Sequence, residues 1–211
     1  MTSAVDDTVT ERCVKRCNWR MLRRFRRSSD GSAAVEFTIL ALPFFMLIFA
    51  TVESFVAFAG EQLLANAVDQ MARQLRTGQI TYNHNVATDK TEAQFRAAFC
   101  AKISIMMKCD SVADKDKSVL VLDVRNFTTF ADIPKGIPRK GGSSSGDLDT
   151  SGFKYEPGGP KSINMVRAYY RWSVTTDVVR PYITNVKKND ASSPDYYLMI
   201  ATAAFLNEGY P

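Results

Sequence analysis

At 211 residues, 45% hydrophobic and 23% charged, the chain has room for one ordinary globular domain and an anchor, and its balance excludes a disordered or collagen-like polymer. The net charge of +5 is concentrated in residues 1–30, where eight basic residues face four acidic ones and leave about +1 for everything else. No aromatic and basic patch recurs downstream, so nucleic acid is not an expected partner.

The first element is a basic tail carrying Arg12, Lys15, Arg16, Arg20, Arg23, Arg24, Arg26 and Arg27. It abuts an apolar stretch, residues 37–59, whose roughly 23 residues suffice to cross about 30 Å of hydrocarbon with some tilt. By the positive-inside rule Arg23, Arg24, Arg26 and Arg27 hold the tail in the cytoplasm and send everything after Gly60 across the membrane. The stretch is too long for the apolar region of a secretory signal. Met21 opens Met-Leu-Arg-Arg-Phe-Arg-Arg, a complete short basic leader, and so is an alternative translation start. Cys13 and Cys17 have no second pair with which to hold a metal and read as free thiols.

Glu36 sits just inside the anchor, where an acid costs up to roughly 2.5 to 3.5 kcal/mol at the helix centre and less near its end. A cut between Gly31 and Ser32 would offset this by placing the Ser32 ammonium four residues before Glu36. Two roles for Glu36 follow. In a bundle it pairs with the Ser32 ammonium of a neighbouring subunit; alone it is an acid in the first turns of a helix, favoured by about 0.3 to 1 kcal/mol. Glu53 lies about 25 Å further along the axis and reads as interfacial. Pro43 perturbs the helix at a cost that membrane helices tolerate.

Beyond Gly60, Leu63, Leu64, Ala67, Val68, Met71, Ala72 and Leu75 recur at helical spacing among polar residues, so the same helix continues as an amphipathic one. Gly78 is its predicted stop, with Arg73 and Arg76 in the last turn. Thr91-Glu92-Ala93-Gln94 has capping-box spacing and opens a second helix that buries Phe95, Ala98, Phe99 and Ile103. Residues 119–124 and 164–174 read as strands, 196–206 as a strand whose alanines also suit a helix, and 178–186 as a short helix interrupted by Pro181. Residues 134–160, rich in Gly, Ser, Pro and Lys, read as a long exposed loop. The expected fold is α+β: a long N-terminal helix packed on a small antiparallel sheet, pilin-like. The expected organisation is a leader, 1–31, a transmembrane helix, 32–60, its amphipathic continuation, 61–78, and an outer domain, 79–211, with an exposed loop at 131–160.

Cys100 and Cys109 fall in the oxidising compartment and are expected to form a disulfide, with two buried free thiols as the alternative. On one straight helix they would stand about 13.5 Å apart, so a bridge requires the helix to end between them, near residues 105–108. No set of nucleophile, base and orienting group assembles around His84, the only histidine, and no phosphate loop or metal cluster appears. No enzyme, cofactor or metal is expected. Tyr169, Tyr170 and Trp172 read as a half-buried strand face, and Met106-Met107 as filling an apolar gap.

With these residues in place the chain resembles the TadE-like pseudopilins of the tight-adherence, Flp-type pilus machinery. The resemblance is carried by Gly31 through Glu53, with Gly-x-x-Ala-Val-Glu-Phe, the apolar run, Pro43 and Glu53. Further parts are Cys100 and Cys109 followed by the apolar strand, Tyr155-x-Pro157-Gly158 leading into the strand with Tyr169, Tyr170 and Arg171, and Ala203-Ala204-Phe205-Leu206-Asn207-Glu208. Gly209 stands where the family often has proline. The resemblance implies a single-pass bacterial inner-membrane protein with a periplasmic domain, cleaved between Gly31 and Ser32 by a prepilin peptidase. It also implies partners: the major pilin, other pseudopilins and the pilus assembly platform. An uncleaved scaffold of the same machinery and a membrane-tethered periplasmic binding domain are the alternatives.

Overall fold

A computed structural model describes residues 32–84, 86–110, 115–177, 179–187 and 194–210. The chain divides into two units, Met1–Phe49 and Ala50–Pro211. The basic tail, Gly31 and the arginines assigned to topology lie outside the described residues.

Helix α1, Ser32–Arg76, runs for 45 residues and continues through Pro43. In the first unit its apolar side chains are exposed, with Phe37 at 70% and Leu40 at 71%. From Ala57 onward one face is buried by Ala57, Leu64, Ala67, Val68, Met71, Ala72 and Leu75, the i, i+3, i+4 rhythm of an amphipathic helix against a core. Arg73 and Arg76 occupy the last turn, where cations complement the helix dipole. Gly78 follows at φ +73°, a conformation that side chains bearing a Cβ rarely adopt.

Helix α2, Glu92–Ile103, starts at the capping box: the Gln94 amide donates to Thr91 Oγ1 at 3.3 Å and the Thr91 amide donates to Gln94 Oε1 at 3.0 Å. Phe95, Phe99 and Ile103 are fully buried, whereas Ala98 is half-buried at the edge of the same cluster. The helix stops at Ile103 with Ser104 as its cap, two residues before the expected 105–108.

Strands β1 (Leu120–Phe127), β2 (Tyr155–Glu156), β3 (Ile163–Trp172) and β4 (Tyr197–Leu206) form one sheet in the order β2-β1-β3-β4. The three long strands pair antiparallel, as expected for this fold class; the two-residue β2 adds in parallel to β1 and makes the sheet mixed. Residues 197–206 are a strand despite their alanines, because pairing along the whole of β3 and alternating burial decide where propensity is neutral. A four-residue helix α3, Arg180–Ile183, precedes β4; Pro181 lies in its first turn, where its missing amide is harmless, and so does not interrupt it.

The two faces of the sheet are covered differently. Leu122, Val124, Val166, Ala168, Met199 and Ala201 pack against α1 and α2. On the other face Val121, Tyr169 and Leu198 meet Leu148, Phe153, Val186 and Tyr196. This corrects the reading of residues 134–160 as simply an exposed loop. Gly141, Gly142 and Ser144 are exposed, but Leu148, Phe153 and Tyr155 are buried, and Phe153 stacks on Tyr169 with ring centres 4.8 Å apart. Arg167, itself buried, donates to the Pro134 carbonyl at 2.8 Å and to Thr202 Oγ1 at 2.8 Å, tying the segment and β4 to β3.

Candidate functional site

The N-terminal half of α1 offers almost nothing but apolar surface. Its polar side chains turn inward on the helix itself: Thr38 Oγ1 donates to the Ala34 carbonyl at 2.7 Å, and Ser54 Oγ to the Ala50 carbonyl at 2.9 Å. A hydroxyl satisfied in this way carries little cost in hydrocarbon. Glu36 projects from this half as an exposed side chain one turn after Ser32, about 6 Å along the axis. Ser32 opens the helix, while its proposed cut partner Gly31 lies outside the described residues.

Glu53 has a partner that sequence reasoning missed. Its carboxylate accepts from the Thr175 amide at 2.6 Å and the Thr176 amide at 3.0 Å, so it holds the segment that follows β3. A carboxylate taking two backbone N–H donors makes charge-assisted hydrogen bonds, roughly twice as strong as neutral ones. Two turns on, Glu61 accepts from the Tyr197 hydroxyl at 2.6 Å. That hydrogen bond, with partial burial, pushes the Tyr197 hydroxyl up to about 12. Only the acid-after-apolar-run pattern marked Glu53, and its partners lie more than a hundred residues away in sequence.

Two of the motifs singled out above meet at the other end of the helix. Asn207, buried, donates through Nδ2 to the carbonyls of Gly158 (3.0 Å) and Gly159 (2.9 Å) and to the Tyr210 hydroxyl (2.9 Å). Its backbone amide donates to the Ser162 carbonyl at 2.9 Å. Asn164, also buried, accepts the Gly158 amide at 2.7 Å. A Cβ on Gly158 would fall 2.9 Å from Asn126 Cβ and against Ser162 Oγ, so glycine is required there. The Glu208 amide donates to the Arg76 carbonyl at 2.9 Å, and the Glu208 carboxylate pairs with Arg76 at 3.3 Å. Tyr210 then lies over Gly78, whose Cβ would come within 2.5 Å of the ring. The Asn-Glu pair thus fastens the C-terminal end of the sheet to the end of α1.

Cys100 and Cys109 are bonded, with Cα atoms 5.8 Å apart. Arg96, on α2, clamps the chain just beyond the bridge: Nη2 donates to Asp110 Oδ1 at 2.8 Å and Nη1 to the Leu120 carbonyl at 2.7 Å. Between α1 and β4 runs an open groove lined by Asp69, Ala72, Arg73, Arg76 and residues 203–205 of the strand. Tyr169, Tyr170 and Trp172 lie within or against the two cores, as a half-buried strand requires. Met107 is buried and fills the predicted gap, while Met106 stays partly exposed.

No curated protein and no solved structure matches the chain. Residues 31–73 match the family model described as TadE-like protein, a stretch that takes in Ser32, Glu36, Pro43 and Glu53 and follows α1 almost to its end. Over this segment the chain is similar to the TadE-like family, a similarity that suggests involvement in pilus assembly.

Proposed function

We propose that the protein is a minor pseudopilin of a Tad/Flp-type pilus assembly and secretion system, a non-enzymatic subunit that helps to initiate or build the pilus. A prepilin peptidase cuts it between Gly31 and Ser32. It then sits in the bacterial inner membrane with its sheet domain in the periplasm, and meets the major pilin, other pseudopilins and the assembly platform. The observation that carries this reading is the TadE-like match along α1, a helix apolar and exposed from Ala33 and one-sided from Ala57. Such a helix suits lipid or fellow helices around its first part and a folded domain against its second. The Cys100–Cys109 bridge suits an oxidising periplasm.

Intact mass of membrane-extracted protein tests the processing step. In cells with active prepilin peptidase the mass should correspond to a chain beginning at Ser32, and in peptidase-deficient cells to the full chain. A full-length mass in both would leave an uncleaved single-pass scaffold as the better reading.

A further inference from the structure

The end of β3 and the start of β4 both lie beside the early turns of α1 in the second unit. Trp172 pairs with Tyr197 in the sheet, and Tyr197 binds Glu61. From Trp172 the chain travels further back along α1, placing Thr175 and Thr176 on Glu53. It forms α3 and returns at Val186, which bridges to Tyr196, while the Asn185 side chain closes both backbone groups of Leu198. This connection is therefore fastened to α1 about 12 Å, or eight residues, before the level at which β4 begins.

Two further observations bear on what surrounds it. Tyr182, in α3, is 88% exposed, more than any other large apolar or aromatic side chain described. On α1, Phe55 and Phe58 are 71% and 58% exposed at the level of Glu53 and just beyond, on the face opposite the buried Ala57 and Gly60. The apolar surface of the anchor thus does not stop at Glu53. On the apolar stretch 37–59, Glu53, Phe55 and Phe58 fall in the last two turns, where a spanning helix meets its interface. Thr176 links that level to α3, since its amide donates to Glu53 and its carbonyl accepts the Arg180 amide at 3.0 Å.

We infer that helix α3, beside the Glu53-bound Thr175 and Thr176, is seated in the headgroup layer of the outer leaflet, with Tyr182 as its aromatic anchor and Phe55 and Phe58 facing the same layer from the other side of α1. The partner is the lipid surface itself. A tyrosine suits this layer because its ring is apolar and its hydroxyl reaches water, and aromatic residues collect there for that reason. Arg180, the one charged residue of α3, is paired with Asp177 at 2.6 Å, so α3 itself carries no unpaired positive charge toward anionic lipid. The seating also accounts for the two amides on Glu53: they stabilise a carboxylate at a depth where water is scarce.

The inference rests on α1 being the membrane anchor, and the experiment separates the two. In the full chain with Cys13→Ser and Cys17→Ser, single cysteines at Tyr182, Phe45 and Ile105 are labelled with the environment-sensitive dye NBD. The protein is placed in nanodiscs of phosphatidylethanolamine and phosphatidylglycerol. Spin-labelled lipids, carrying the label at the headgroup or deep in the acyl chain, then quench the dye. Seating predicts that the dye at 182 emits to the blue of the dye at 105 and loses most of its emission to headgroup label. The dye at 105 should answer only to aqueous iodide, and the dye at 45 to acyl-chain label. Water-like emission at 182, quenched by iodide and not by lipid, with 45 still quenched from the acyl chain, overturns the seating and leaves the anchor standing. Loss of lipid quenching at 45 as well overturns both.

Discussion

Asp110 illustrates what one side chain can hold together. Its carboxylate accepts the Val119 amide, the Ser118 hydroxyl and Arg96 Nη2, each at 2.8 Å, and so joins the first half of α2 to the residues just before β1. Partial burial pushes its carboxyl up, but the amide, the hydroxyl and the Arg96 charge together hold it below its ordinary 3.8. A carboxyl lowered by folding contributes stability that is fully present above the unfolded value near 3.8 and is lost as pH falls through the folded value. Asp110→Asn should therefore lower stability at pH 7 by about 1 to 3 kcal/mol, the scale of lost charged hydrogen bonds, while flattening the fall in stability below about pH 4. Thermal unfolding of the full chain in nanodiscs between pH 7 and pH 2.5 measures both; an unchanged acid slope would assign that slope to other carboxyls. Asp116, lowered by hydrogen bonds from Lys140 and Thr150, supplies part of the slope that remains. None of this was legible beforehand, since Arg96 and Asp110 are fourteen residues apart with a helix end and a disulfide between them.

At the scale of elements, local chemistry is what the sequence displayed. The capping box at Thr91, the buried stripe of α1 and the two long apolar strands all declare themselves through neighbours within four residues, and each forms where that chemistry points. The far cover of the sheet did not, because Leu148 and Phe153 are isolated apolar residues in a Gly- and Ser-rich stretch, with no periodicity until β3 and β4 give them a surface. The parallel two-residue β2 is hidden for the same reason. The bridge across the end of α2 lies between these cases: its need for a helix end between Cys100 and Cys109 was legible, but the place was not, and the end falls at Ile103. Closing a loop of nine residues' separation stabilises by about 2.5 kcal/mol on the chain-entropy estimate. The double variant Cys100→Ser, Cys109→Ser should lose about that much. Because α2 packs Phe95 and Phe99 into the same cluster as α1, the loss should appear as a lower midpoint of one cooperative transition rather than as separate melting of α2. Circular dichroism against urea, with and without reductant on the parent protein, measures it; a bridge whose reduction left the midpoint in place would be dispensable to the fold.

The whole molecule brings together a helix whose first part needs apolar company outside the chain and a domain that supplies its own core. Glu36 belongs to the first part and Asn207, Glu208 and the bridge to the second, so an assembly defect and a folding defect can be told apart. On the pseudopilin reading, the Glu36 carboxylate meets the Ser32 ammonium of a neighbouring subunit within a bundle of helices. Removing one partner of a buried ion pair typically costs about 3 to 5 kcal/mol, because the other charge is left uncompensated in a low-dielectric surrounding. A cost of that size per contact is a large fraction of what holds one helix against another in lipid, where apolar burial gives no help. Glu36→Gln should therefore reduce pilus assembly and recovery of pseudopilin complexes strongly, while thermal unfolding of the domain stays where it was, since Glu36 lies about six turns before Ala57, where α1's buried stripe begins. Glu36→Asp keeps the charge on a shorter stem and should recover part of the loss. Piliation counted by electron microscopy, with complex recovery from membranes and a melting curve on the same preparations, reads all three. Normal piliation with Glu36→Gln would reduce Glu36 to an acid tolerated near the end of an anchor, and a fall in melting temperature alongside lost pili would move the defect from pairing to folding.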